Sequence, residues 1–217
     1  MTDGVFSMDG DLAPLPGIVA LAEKYDAIVM VDDAHATGVL GRTGKGSVEH
    51  FGLFGRVHIQ MGTFGKALGS FGAYAAGNKE LIAFLINGAR SFIYSTALPA
   101  SVCAASLAAI DVLEQESERM KALWKNRTRF VNGLHACKIS TGDSETPIVP
   151  VLIGDSGQAL KASEKLFDYG IYATAIRPPT VPVDSARIRT TVTASHSEED
   201  IDKALGVFER LRREGYL

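Results

Sequence analysis

The sequence predicts an α/β protein, with a mostly parallel sheet in its first half and a smaller α+β domain after it. Three observations carry this. Ile28-Val29-Met30-Val31 is an unbroken apolar run, the pattern of a strand covered on both faces of a parallel sheet. Strand-like and helix-like segments alternate along the first half. In the second half, Ile148–Ile153, Ile171–Ile176 and the period-two stretch Ala186–Val192 are set among helices, as in an α+β domain. The chain has 217 residues, 46% of them hydrophobic, enough to bury a substantial core and too apolar for a disordered chain.

Taken in order, a short apolar run at Val5 and Phe6 precedes a turn at Asp9-Gly10-Asp11. A helix is expected from Pro16, where a missing N–H costs little, with Ile18, Leu21 and Ala22 on one face. The apolar run that follows ends in Asp32-Asp33. Gly38, Gly41, Gly44 and Gly46 mark a mobile or tightly turned loop. Val57–Met61 is expected as a strand leading into Gly62-Thr63-Phe64-Gly65-Lys66, and Ala73–Ala76 as another. Helices are expected over Lys79–Ala89, Ala100–Gln115, Arg119–Lys138 and Gln158–Asp168. Charge crowds between Glu114 and Lys125, dividing the chain into residues 1–112 and 113–217. Ser197 with Asp200 forms a capping box ahead of an apolar stripe of Ile201, Ala204, Leu205, Phe208 and Leu211.

Composition excludes several roles. With 22 basic and 25 acidic side chains the net charge is −3, and no basic stripe suits a nucleic acid. No apolar run approaches membrane-spanning length and the first residues lack a signal pattern, so a cytoplasmic protein is expected. Cys103 and Cys137 lie in helical segments without metal-ligand spacing and are expected to be buried thiols; no metal is expected. Gly44-Lys45 and Gly65-Lys66 lack the upstream glycine and following Ser or Thr of a phosphate-binding P-loop.

The chemistry concentrates at two strand exits. Asp32-x-x-His35 follows one buried strand and Thr63-Phe64-Gly65-Lys66 follows the next. Ligands gather outside the carboxyl ends of strands in open α/β sheets, so an acid, an imidazole and an amine converge on one crevice. A partly desolvated lysine there is nucleophilic and can form a Schiff base. Its partner would be pyridoxal phosphate, whose ring nitrogen needs a carboxylate to stay protonated, and Asp32 is the candidate. Asp33 is expected to be a structural hydrogen-bonder. Taken singly, Asp32 could equally be a turn former, His35 a loop histidine and Lys66 a solvated surface lysine; the combination carries the reading. His50, His58, His135 and His196 lie outside it.

Val31-Asp32-Asp33-Ala34-His35-Ala36-Thr37-Gly38, Thr63-Phe64-Gly65-Lys66-Ala67-Leu68-Gly69, Tyr94-Ser95-Thr96 and Val5-Phe6-Ser7-Met8-Asp9-Gly10-Asp11 together resemble the α-oxoamine synthases, fold-type I, aminotransferase-like enzymes that use pyridoxal 5′-phosphate. The resemblance covers essentially the whole chain and corresponds to the C-terminal half of such an enzyme. It implies the C-terminal part of the large cofactor-binding domain, then the small domain. It also implies that Lys66 holds the cofactor and removes the substrate's α-proton, that Asp32 pairs with the ring nitrogen, and that His35 bonds the phenolic oxygen. Ser7 would lie near the same cofactor edge. Thr63 would contact the phosphate of its own subunit, and Ser95 and Thr96 that of the neighbouring subunit in a homodimer. Arg189 would anchor the substrate carboxylate, with Arg177 assisting from the Pro178-Pro179-Thr180-Val181-Pro182 loop. The implied reaction is decarboxylative condensation of an amino acid, alanine before glycine, with an acyl thioester, pimeloyl before acetyl, on coenzyme A or a carrier protein. A reading from another class is a catalytically inert fragment or dimerisation domain.

Overall fold

A computed structural model describes all residues from 1 to 217, and the chain divides into two units, Met1–Phe6 with Leu12–Ser117, and Ser7–Asp11 with Glu118–Leu217. In the first, β1 (Thr2–Asp3), β2 (Met30–Asp32), β3 (Ile59–Thr63) and β4 (Ala73–Ala76) form one sheet in that order. The first three strands run parallel and β4 returns antiparallel to β3. Helix α1 (Leu15–Lys24) has Pro16 in its first turn and buries Leu15 and Val19. These pack with Val29, Val31, Val48 and Leu53.

Three sequence expectations change here. Ile28 is 73% exposed, so the β2 run is not covered on both faces; Val29 and Val31 carry its buried side. The first strand lies at Thr2–Asp3, because Gly4 N–H donates to the Asp32 carbonyl and Val5 then bridges to Leu12. β3 starts two residues later than expected, because the His58 and Ile59 amides both donate to the Val29 carbonyl while His58 Nδ1 accepts from Val29 N–H. The glycine loop is the tightly turned alternative: the carboxylate of Glu49, in the short helix α2 (Ser47–His50), accepts from the amides of Thr43 and Lys45 and from the Thr43 hydroxyl.

Helices α3 (Lys79–Gly88), α4 (Arg90–Ile93) and α5 (Ala100–Gln115) complete the first unit. Within α3 and α4 no residue is fully buried, and in α5 only Ser106 is. Phe84, Phe92 and Leu107 are exposed, and so is Cys103, against the expectation of a buried thiol; Cys137 is half-buried.

The second unit is built on an antiparallel sheet in the order β5-β7-β6, made of β5 (Ile148–Gly154), β6 (Thr174–Ile176) and β7 (Ala186–Thr191). The strand β6 is shorter than expected because the Ile171 amide instead donates to the Leu166 carbonyl at the end of α7 (Ser156–Asp168). Helices α6 (Ser117–Ala136), α7 and α8 (Glu198–Arg213) pack a core of Phe130, Leu134, Val149, Leu166, Ile188, Phe208 and their neighbours. Ser197 and Asp200 close both halves of the capping box that starts α8. No helix of the chain is long and apolar enough to cross a membrane.

Candidate active site

Because β2 and β3 are parallel, with Asp32 in register with Met61, their carboxyl ends open on the same edge of the sheet. Asp32 is the last residue of β2 and Thr63 the last of β3, and Lys66 stands in the loop beyond. The two exit loops touch: a Cβ on Gly38 would lie 2.8 Å from the Ala67 Cβ. Gly62 is needed for the same reason, since a Cβ there would lie 2.5 Å from the Tyr74 hydroxyl and 2.8 Å from Thr37 Oγ1.

The turn after β2 is closed by its own bonds. Ala34 N–H donates to Asp32 Oδ1 at 2.9 Å. The Asp33 carbonyl accepts from Ala36 N–H, Thr37 N–H and the Thr37 hydroxyl. That hydroxyl spends its only hydrogen on Asp33, so Tyr74 donates to it across 2.8 Å and ties the turn to β4. His35 sits on this turn, partly exposed. After β3, Phe64 N–H donates to the Gly72 carbonyl and Ser70 N–H to Phe64, which lifts residues 65–67 to the surface. Lys66 is therefore exposed in this chain, against the expectation of a desolvated amine.

Asp3, which the sequence reading did not single out, joins this edge, because β1 sets it in register with Asp32. Burial pushes its carboxyl above the ordinary range, the Asp32 charge pushes it further, and the Lys66 charge opposes both. One carboxyl thus lies within electrostatic reach of both predicted partners. Its signal in the sequence was slight, a short polar strand end ahead of the first apolar run. A raised folded-state value means that the folded chain binds the Asp3 proton more tightly than the unfolded chain does. That stability is complete below the ordinary carboxylate range and declines as pH rises through it toward the raised value. Asp3→Asn should flatten the pH dependence of unfolding just above the ordinary carboxylate range and stabilise the chain by less than about 1 kcal/mol at neutral pH, read by denaturant titration.

Thr63 Oγ1 is buried without a hydrogen-bond partner at the end of β3. An unsatisfied buried hydroxyl costs about 1–3 kcal/mol, and a phosphate oxygen accepting from it would remove that cost. The residues here thus fit a phosphorylated aldehyde cofactor: an accessible amine, a carboxylate and an orphan hydroxyl on one sheet edge. Ser95 and Thr96 are exposed just after α4, with the Ser95 hydroxyl donating to the Phe92 carbonyl.

The other predicted residues belong to the second unit. Arg189 on β7 donates from Nε to the Ser7 carbonyl at 2.7 Å and from Nη1 to Thr191 Oγ1 at 3.3 Å, and burial lowers its pKa. Arg177 is exposed beyond β6. Arg187, two residues before Arg189, is only 5% exposed; it pairs with the Asp9 carboxylate and donates to the Ser185 carbonyl. Ser7 and Asp9 are thereby fastened to β7.

An accessible lysine and a carboxylate at adjacent carboxyl ends of a mostly parallel sheet are the pair that a Schiff-base-forming site needs. The chain belongs to the aminotransferase class I and II family, whose model matches residues 1–208. It is 54% identical over 214 residues to 8-amino-7-oxononanoate synthase 1 of Bacillus subtilis, covering 99% of this chain and 55% of that one. It is 52% identical to the 8-amino-7-oxononanoate synthase of Thermoanaerobacter pseudethanolicus, covering 99% and 54%. The chain therefore spans about half the length of the curated relatives it matches. Among solved structures it resembles the serine palmitoyltransferase of Sphingomonas wittichii, with a TM-score of 0.94 at 32% identity over 98% of this chain and 54% of that one. The 8-amino-7-oxononanoate synthase of Francisella tularensis gives a TM-score of 0.84 at 28% identity, covering 100% and 63%.

Proposed function

We propose that this chain supplies the lysine-bearing part of a pyridoxal-phosphate-dependent α-oxoamine synthase, residues 1–112 belonging to its large cofactor-binding domain and 113–217 to its small domain. The reaction is decarboxylative condensation of L-alanine with a pimeloyl thioester to give 8-amino-7-oxononanoate, in the cytoplasm. The observation that carries this is the meeting of Asp32, Thr63 and the Lys66 loop on one edge of the β1–β4 sheet. The names of the relatives support the choice of product.

When bound, the cofactor supplies an electron sink for the carbanion formed at the amino acid's α-carbon. Lys66 Nζ would hold the cofactor and would serve as the base for the substrate's α-proton. Its exposure leaves it free to swing between these tasks. Asp32 would keep a proton on the ring nitrogen, with one of its oxygens already fixed by Ala34 N–H. His35 would donate to the phenolic oxygen, and the Thr63 hydroxyl, buried without a partner, would donate to the phosphate. Arg189 takes the substrate carboxylate with its planar fork, oriented by the bond from Nε to the Ser7 carbonyl, and Arg177 assists from its loop. Ser95 and Thr96, exposed beside Phe92, Tyr94 and Leu98, reach the phosphate of a second subunit in a homodimer.

The test is a chimera in which this chain replaces the matching 214 residues of the Bacillus subtilis relative. With alanine and pimeloyl-coenzyme A it should release carbon dioxide and free thiol in equal amounts. Equal or faster thiol release with glycine and acetyl-coenzyme A, without matching carbon dioxide, would favour a glycine C-acetyltransferase. Release from neither pair, in a chimera that is folded and holds the cofactor, would favour an inert fragment or dimerisation domain.

A further inference from the structure

We propose that Asp33 is the positioning residue of this site: its buried carboxylate locks the turn that presents Asp32 and His35. This rests on the cofactor reading above for its functional meaning, but the lock itself is a property of the chain. Asp33 is fully buried, at 0% exposure, directly after the last residue of β2. Its side chain accepts from Ser47 N–H at 2.9 Å, from the Ser47 hydroxyl at 2.6 Å and from Gln60 Nε2 at 2.6 Å. Its main chain donates to the Met61 carbonyl at 2.8 Å and accepts from Ala36 and Thr37. One residue thus joins the end of β2 to β3, to the start of α2 and to the turn carrying His35. Space around it is closed, because a Cβ on either Gly4 or Gly46 would collide with the carboxylate oxygens.

Every neighbour named for that carboxylate is a donor, so the position requires an acceptor on both oxygens. Asparagine has the same shape but would turn an NH2 group toward Gln60 or Ser47, leaving buried donors unpaired. Changing Gln60 to glutamate gives an amide at position 33 a carboxylate to donate to, and the buried charge moves across one hydrogen bond, but Ser47 N–H, which shares that Asp33 oxygen with Gln60 Nε2, loses its acceptor. The carbonyl of Lys45, which also accepts from Gln60 Nε2, loses its donor in that exchange, so recovery should be incomplete.

The experiment is hydrogen–deuterium exchange on the chain itself, with visible spectra after adding pyridoxal phosphate. In Asp33→Asn, the Ala36 and Thr37 amides should exchange at least about tenfold faster, while amides of α8 keep their rates. The Asp33→Asn/Gln60→Glu pair should return the turn to within about threefold of the parent. The visible cofactor band should shift in the single variant and move back in the double. If Asp33→Asn fails to fold, Ser47→Ala serves instead, with about threefold faster exchange at the turn expected. Parent-like exchange at Ala36 and Thr37 in the variant that folds, or a cofactor band identical in parent and Asp33→Asn, would overturn the proposal. Faster turn exchange in Asp33→Asn, with a parent chain that never forms an adduct on Lys66, would leave the lock standing and remove the cofactor reading.

Discussion

Asp32→Asn in the chimeric enzyme should lower turnover by about 10²–10³-fold, the scale of losing one preorganised electrostatic partner of the developing charge. The carboxylate is set by backbone geometry, since Asp32 ends β2 in register with Met61 on β3 and one of its oxygens accepts from Ala34 N–H. Asparagine keeps that oxygen and the turn. What it loses is the negative charge that, on the proposed assignment, would hold a proton on the ring nitrogen and so strengthen the cofactor as an electron sink. Lys66 is untouched, so the covalent adduct should still form and only its reactivity should drop. Turnover equal to the parent, with adduct present, would take the ring-nitrogen role away from Asp32.

Phe208→Ala should destabilise the second unit by about 3–5 kcal/mol. Phe208 is 1% exposed and meets Phe130 edge-on with ring centroids 5.9 Å apart. It belongs to the stripe by which α8 covers the β5-β7-β6 sheet, so truncation leaves a cavity between helix and sheet that the capped, regular helix cannot close. The single tryptophan, Trp124, lies on α6 in this unit, so its fluorescence during denaturant unfolding reports the loss. Phe167→Ala on α7, where the ring is 70% exposed, is the control and should shift stability by no more than about 0.5 kcal/mol. Similar losses for the two variants would mean that the α8 stripe is not what holds this unit.

What could be read before the structure was what local rules govern. The helix over Ala100–Gln115, the strand over Ala73–Ala76 and the Ser197–Asp200 capping box follow from periodicity, propensity and capping chemistry within a few residues, and they match. The strand exits at Asp32 and Thr63 were legible for the same reason, because apolar runs ended there in chemistry-bearing residues. Long-range features were not legible. Ser7–Asp11 is held by Arg187 and Arg189, from the other end of the chain, and no local pattern announces that pairing. The alternation in β7 says nothing of what covers Arg187, which is 5% exposed and paired with Asp9 of that returning segment. Asp33 lies next to Asp32 in sequence, yet its partners Ser47 and Gln60 come from two other elements, so its neighbour drew the attention. Apolar spacing in α3–α5 reads like a buried face, but burial depends on a covering surface, and here Phe84, Phe92 and Leu107 are exposed.

The most direct test of the site is covalent. The chain is incubated with equimolar pyridoxal phosphate, reduced with borohydride and mapped by peptide mass, beside a Lys66→Ala variant. The structure predicts that the reduced label gathers on the peptide carrying Thr63–Lys66 and vanishes in the variant. Label spread evenly over surface lysines such as Lys45 and Lys79, or unchanged in Lys66→Ala, would contradict it.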